Sequence, residues 1–163
     1  MLERMLSTSG ERSVVLIRLL VGLAVFFPEG IQKLLFPQIL GAGRFAAIGI
    51  PWPGVLGPFV GVVEIACGAL LILGLLTRLA AIPLIVVTIV AIVSTKIPML
   101  IGHGFLMFSL PHLARYGLWS MLHEARTDLC MLLGCLYLLI VGGGGWSLDG
   151  WLVRERAARS PGE

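Results

Sequence analysis

The chain has 163 residues, of which 58% are hydrophobic and only 13% are charged, and its formal net charge is +3. A soluble domain of this length needs more polar surface to cover its core, so we expect the chain to lie in a lipid bilayer. The basic residues are scattered and do not cluster with aromatic residues, which argues against nucleic-acid binding. The apolar runs are continuous and do not alternate, which argues against a transmembrane β-barrel.

The apolar runs predict an all-α, integral membrane bundle of four transmembrane helices, because about 20 residues are needed for a helix to cross the hydrocarbon core. In the first helix, Pro28 leaves the carbonyl of Ala24 without its usual helical donor, which predicts a kink. The helices form one predicted transmembrane domain over residues 1–163, with spans at 14–36, 55–76, 79–95 and 127–141.

Two further segments are predicted as short helices outside the spans. Segment 97–122, between the third and fourth spans, mixes aromatic residues with histidines and an arginine, which favours a short helix in the membrane interface. After the fourth span, the run Gly142–Gly145 is expected to stop the helix. Ser147 then offers the N-cap of an amphipathic C-terminal segment over residues 147–159.

The distribution of arginines predicts the orientation. Four spans place both termini on one side of the membrane, and most of the arginines fall on that side. Because cytoplasmic segments are enriched in Lys and Arg, we expect a multi-pass plasma (inner) membrane protein with both termini in the cytoplasm. The arginines on the predicted cytoplasmic side are Arg4, Arg12, Arg78, Arg154, Arg156 and Arg159, against Arg44 and Arg115 opposite.

Ionisable residues within the spans are the main functional signal. Each costs at least about 2.5 kcal/mol near a helix centre, so such residues usually face protein and pair with one another. With a rise of about 1.5 Å per residue and alternating helix directions, most of them fall at one depth in the outer half of the bilayer. The predicted set, in which the two signs balance, is Arg18, Glu29, Lys33, Glu64, Lys96, Glu124, Arg126 and Asp128, with Arg18 nearer the inner side.

A structural explanation competes with a functional one for most of these residues. Lys33 and Lys96 lie near span ends, where their side chains can extend to the interface. The three charged residues that open the fourth span are also compatible with a solvated helix start. A purely structural explanation fits Glu64 least, because its span is almost wholly apolar. Glu64 and Asp128 are therefore the candidates for catalytic acid/base work.

The histidines and cysteines do not point to a metal or thiol site. No two histidines share i,i+4 spacing, so we predict interfacial positions and no metal site. The cysteines lie in apolar runs without a CxxC motif, which favours buried thiols over a redox pair. These residues are His103, His112, His123, Cys67, Cys130 and Cys135.

An ordered set of short motifs resembles the DoxX family of small four-helix membrane proteins. The motifs extend from about Arg18 to Asp149, and none of them is specific by itself. The stretch His123-Glu124-Ala-Arg126-Thr-Asp128 resembles the mark of a subgroup. The motifs are Arg18-Leu-Leu-Val-Gly, Glu29-Gly-Ile-Gln-Lys33, Gly49-Ile-Pro51, Val63-Glu64 with Gly68, Leu73-Gly-Leu-Leu-Thr-Arg78 and Gly145-Trp-Ser-Leu-Asp149.

The resemblance implies a four-helix transmembrane bundle linked to membrane redox and to sulfur or thiol metabolism, since the family takes its name from a subunit of a thiosulfate:quinone oxidoreductase. The positions that match the family pattern are Arg18, Gln32, Lys33, Glu64 and Arg78. Gln32, as one of these positions, and His123, as part of the subgroup stretch, join the predicted pocket or ion-pair network.

Three functions remain open from the sequence. The first is a subunit or accessory of a redox system whose polar pocket binds a quinone or a small sulfur compound; no cofactor motif is evident, so a partner protein would supply electrons. The second is a non-enzymatic assembly component, in which the charges specify helix packing. The third is a carrier of small solutes or protons, for which self-association would complete the path because no inverted repeat is visible.

Overall fold

The computed structural model describes residues 11–159, without the side chains of residues 156–158. Within this part the chain forms six helices and no strand, apart from one isolated antiparallel bridge between Phe105 and Phe108. The helices are α1 (Val14–Leu35), α2 (Ala42–Ala47), α3 (Pro53–Leu73), α4 (Thr77–Ile101), α5 (Leu118–Val141) and α6 (Leu148–Arg159).

Three of the described helices, α1, α3 and α4, are long and apolar enough to cross a membrane. Helix α5 has 24 residues and a length of about 36 Å, which is also sufficient. Its N-terminal half, however, carries Glu124, Arg126 and Asp128. The all-helical membrane bundle is thus confirmed, while the described helices include three clear spans and a fourth long helix that is more polar at one end.

The four long helices pack in a closed ring, in which α1 contacts α3 and α5, and α4 contacts the same two helices. Their inner faces form an apolar core that includes Val21, Leu71, Leu84 and Leu138. Helices α1 and α3 approach closely: a Cβ atom on Gly68 would lie 3.0 Å from the backbone nitrogen of Phe26. The small side chains at this contact let the two backbones meet, as is common between membrane helices.

Two of the long helices contain a π-helical segment next to a proline. In α1 the segment is Val25–Ile31 and contains Pro28, and in α4 it is Ile92–Lys96, two residues before Pro98. Proline lacks the N–H that the carbonyl four residues earlier would accept, and a wider turn relieves the clash with that carbonyl. The kink predicted at Pro28 therefore takes the form of a π turn, and α4 contains a second π turn that was not predicted.

The predicted interfacial helix at 97–122 is wrong. Residues 97–101 complete α4, residues 118–122 begin α5, and the segment between them is not helical. The breaks coincide with Gly102 and Gly117, which both have positive φ, and Pro111 lies between them. Helices α4 and α5 are consequently longer than the predicted spans 79–95 and 127–141, because each includes polar residues beyond its apolar run.

The C-terminal segment is fixed to the end of the bundle where α3 turns into α4. Both carboxylate oxygens of the buried Asp149 accept backbone N–H groups, from Leu76 at 2.7 Å and Thr77 at 3.0 Å. Ser147 Oγ accepts the N–H of Gly150 at 3.0 Å, which confirms Ser147 as an N-cap. Helix α5 ends at Val141, directly before the predicted glycine stop.

Arg18 belongs to this end of the bundle. Its Nη1 donates to the carbonyl of Gly143 at 2.7 Å, and a Cβ on Gly74 would lie 2.5 Å from the same nitrogen. Gly74 caps the C-terminus of α3 with a φ of +69°, a left-handed conformation that glycine adopts without strain. Because it has no side chain, it also leaves space for the guanidinium. The prediction that Arg18 belongs to the charged network is therefore wrong, because its place in the first turns of α1 puts it at the opposite end.

Candidate functional site

A cavity of about 490 Å³ lies between the four long helices, at the end away from Arg18. The segment that contains α2 contributes Arg44, Phe45 and Ile48 to its wall and covers it at that end. Among the described residues, four carboxylates and three cations line the cavity: Glu29, Glu64, Glu124 and Asp128, with Lys33, Lys96 and Arg44.

Lys33 is at the centre of one ion-pair cluster. Its Nζ lies 2.7 and 2.8 Å from the two carboxylate oxygens of Glu64 and 3.1 Å from Oε2 of Glu29. Glu64 is only 2% exposed, so its charge depends on Lys33 for compensation. The cluster joins α1 to α3, because Glu29 and Lys33 are four residues apart on α1 and Glu64 lies on α3.

A second ion pair joins α4 to α5. Lys96 Nζ lies 3.2 Å from Oδ2 of Asp128, with side-chain exposures of 7% and 21%. Lys96 is the last residue of the π turn in α4, and Asp128 lies about three turns into α5. The Lys33 cluster thus joins α1 to α3, and the Lys96 pair joins α4 to α5, around the same cavity.

The π turn of α4 presents three consecutive buried polar residues, Ser94, Thr95 and Lys96, to the cavity. In a regular α-helix three consecutive side chains point about 100° apart. Both hydroxyls donate to the carbonyl of Ala91, from Ser94 at 3.3 Å and from Thr95 at 2.6 Å. The oxygen atoms of both hydroxyls keep lone pairs with which to accept hydrogen bonds.

The other walls of the cavity are apolar and reach the outside of the bundle between α3 and α4. Phe59 is 61% exposed and Val86 is 55% exposed, yet both also line the cavity. In a membrane protein such exposed apolar side chains face lipid. The cavity thus has a charged end inside the bundle and an apolar side directed toward the bilayer.

A second cavity, of about 450 Å³, lies on the other side of α2. Its wall includes Gln38 and His112 and shares Arg44, Ile48 and Thr95 with the first cavity. The loop before α3 and the loop after α4 meet there, since Ser109 N–H donates to the carbonyl of Ile48 at 3.0 Å. The charged cavity therefore adjoins a second space at the same end of the molecule.

The structure brings together most, but not all, of the predicted site residues. The residues that line the cavity are Glu29, Lys33, Glu64, Lys96, Glu124 and Asp128. Gln32, His123 and Arg126 are exposed and do not line it, and Arg126 instead donates to the carbonyl of His123. Helical geometry explains the difference, because neighbours in sequence point in different directions.

Five polar residues of the cavity wall were not predicted: Arg44, Thr88, Ser94, Thr95 and Thr127. Thr88, Ser94 and Thr95 are neutral, and a charge-based search does not select them. The spacing of Thr88 and Thr95 by seven residues, or two helical turns, is a signal that was available.

Among the described residues, no group of three His, Cys, Asp or Glu side chains is arranged to hold a metal ion. All three cysteines are free; Cys67 and Cys135 are buried and Cys130 is exposed. The prediction of buried thiols is thus confirmed for two of the three.

Comparisons with known proteins point to one family. The DoxX family model matches residues 13–97. An uncharacterized membrane protein of Mycobacterium tuberculosis is 51% identical over 155 residues, which cover 95% of this chain and 90% of that protein. No solved structure matches the chain. The matched region contains both lysines of the cavity, while Glu124 and Asp128 lie beyond it.

Proposed function

This chain belongs to the DoxX family of membrane proteins, and we propose that it binds a quinone-type amphiphile in its cavity as part of a membrane redox system. The observation that carries the proposal is a cavity with a charged end inside the bundle and an apolar side open toward lipid. Its volume of about 490 Å³ lies within the range of about 300–1,000 Å³ that is usual for small-molecule sites.

The chemistry of the walls fits a quinone. A quinone head group carries two carbonyl oxygens that accept hydrogen bonds, and the charged end offers N–H donors. Its isoprenoid tail is apolar and needs a route to the hydrocarbon core, which the gap near Phe59 and Val86 supplies. When bound, the quinone supplies two-electron chemistry, and this proposal assigns the exchange of electrons to a partner protein.

Of the two acid/base candidates, Asp128 is better placed to exchange a proton with a ligand. Both oxygens of Glu64 already accept hydrogen bonds from Lys33. Asp128 has one ion-pair contact at 3.2 Å, and its side chain is 21% exposed. A proton-exchanging group needs both contact with the ligand and a route to water. The proposal therefore assigns proton exchange to Asp128 and the positioning of Lys33 to Glu64.

Blocking the cavity tests the proposal. Ala91 lines the cavity, whereas Ala66 on α3 is exposed and does not line it. We expect wild-type protein in nanodiscs to bind decylubiquinone saturably, and Ala91→Phe to weaken binding at least tenfold because the ring occupies the site. The matched control Ala66→Phe is expected to bind within twofold of the wild type. The measurement is isothermal titration at equal quinone-to-lipid ratio, with melting curves as a check of folding.

The closed cluster around Lys33 favours a second candidate, a non-enzymatic assembly component in which ion pairs fix how the helices pack. The same experiment separates the two candidates. An assembly component would show no saturable quinone binding in the wild type, and Ala91→Phe would change only its melting temperature. That result would overturn the quinone proposal.

A further inference from the structure

The sequence contains two lysines, Lys33 and Lys96, and both line the cavity. A lysine ammonium has three N–H donors and no acceptor, so the number of acceptors around each one shows whether it is satisfied. The two lysines differ sharply in this respect.

Lys33 has acceptors for all of its donors. Three carboxylate oxygens, two from Glu64 and one from Glu29, lie between 2.7 and 3.1 Å from Nζ. Two negative charges surround one positive charge, so a ligand that contacted Lys33 would have to displace a carboxylate. Lys33 therefore has little capacity left for binding.

Among the described residues, Lys96 has one ion-pair partner, Asp128, whose Oδ2 lies 3.2 Å from Nζ. Lys96 is 5% exposed, so outside the cavity that it lines its side chain has little contact with water. A buried ammonium with unused N–H groups is costly, and it binds an acceptor strongly when one is supplied. Since Lys96 lines the cavity, a ligand in the cavity is the group that can supply this acceptor.

The surroundings of Lys96 also match a polar head group. Ser94 and Thr95 line the cavity beside it, in the same π turn. π turns interrupt α-helices frequently at functional sites, where they redirect side chains. The apolar residues Val86, Val87 and Val90 lie one to three turns earlier on α4 and line the same cavity, so one helix provides both a polar and an apolar surface.

We infer that Lys96, and not Lys33, binds the acceptor oxygen of the cavity's ligand, and that the π turn Ile92–Lys96 is the surface on which the head group lies. This inference rests on the proposed function, since it names the contact by which an amphiphile is recognised. The ligand chemistry is a carbonyl or carboxylate oxygen on an apolar tail, while Lys33 holds α1 to α3.

Paired lysine variants test the inference with two probes in nanodiscs, decylubiquinone for a carbonyl oxygen and decanoate for a carboxylate. We expect Lys96→Met to weaken binding of the recognised probe at least tenfold. Lys33→Met is expected to lower the melting temperature but to leave the affinity of the folded protein within threefold. Where Lys96→Met does not fold, the charge-balanced variant Lys96→Met/Asp128→Asn takes its place.

The two probes separate this inference from the quinone proposal. Loss of decylubiquinone binding in the Lys96 variant, but not in the Lys33 variant, supports both the inference and the quinone proposal. If the wild type binds decylubiquinone and the Lys96 variant binds it equally well, the inference is overturned and the proposed function stands. Binding of decanoate but not decylubiquinone, lost in the Lys96 variant, supports the inference and overturns the quinone proposal. Binding of neither probe overturns both.

A spectroscopic readout distinguishes contact from a structural effect. Because there are two lysines, protein labelled with ¹³Cε-lysine gives two side-chain signals, which the two single variants assign. Saturation with the bound probe is expected to shift the Lys96 signal several times more than the Lys33 signal. Equal shifts, or a larger shift of Lys33, would contradict the assignment.

Discussion

At the residue scale, the shortest ion pair of the cavity joins Lys33 to Glu64. A carboxylate that is 2% exposed is stable here because both of its oxygens bind one ammonium, at 2.7 and 2.8 Å. Removing one partner of a buried ion pair typically costs about 3–5 kcal/mol, since the other charge stays buried and uncompensated.

We therefore expect Glu64→Gln to lower the free energy of unfolding by about 3 kcal/mol, the lower end of that range, because Glu29 still contacts Lys33. The matched control is Glu155→Gln, whose partner Arg159 is exposed, and its expected cost is below about 1 kcal/mol. Unfolding in mixed micelles by SDS titration measures both values. Equal stability of the two variants would show that the Lys33 cluster contributes little to folding.

At the element scale, the C-terminal segment joins the turn between α3 and α4 through Asp149, which is 1% exposed. Its two acceptor contacts, to the N–H groups of Leu76 and Thr77, satisfy donors at the start of α4 that have no partner within the helix. The carboxylate also places negative charge at the positive end of the α4 dipole.

Asp149→Ala removes both contacts, and we expect it to destabilise the protein by about 2–4 kcal/mol, at about 1–2 kcal/mol for each backbone donor left unsatisfied. Ser147→Ala removes the cap of α6 and the hydrogen bond that Ser147 Oγ donates to the carbonyl of Gly144, and it is expected to cost about 1–2 kcal/mol. The same SDS titration measures both variants. A loss below 1 kcal/mol for Asp149→Ala would contradict a structural role for this contact.

The helices also show which features the sequence predicts and which it leaves open. The kink at Pro28 follows from one missing N–H, but whether the chain responds with a bend or a π turn depends on packing around it. The predicted helix at 97–122 followed from composition, and composition does not fix backbone conformation where Gly102 and Gly117 take positive φ. Helix α5 begins nine residues earlier than the predicted 127, because its first turns carry polar residues outside the apolar run.

At the scale of the whole molecule, helix direction and depth were enough to predict that charges from all four long helices converge. Glu29, Lys33, Glu64, Lys96 and Asp128 line one cavity, as the common depth suggested. The role of Arg44 was not predictable, because it depends on how the loop around α2 folds over the bundle. The predicted orientation, with cytoplasmic termini, would place this cavity in the outer leaflet.

Photo-crosslinking in nanodiscs tests the cavity and its opening toward lipid together. With an azido derivative of decylubiquinone, we expect mass spectrometry to find label on the cavity side of α3 and α4, near Phe59 and Val86. Ala91→Phe is expected to reduce this label at least fivefold, while Ala66→Phe leaves it unchanged. Label spread evenly over the lipid-facing surfaces of α1 and α5, and unaffected by Ala91→Phe, would contradict a quinone site between these helices.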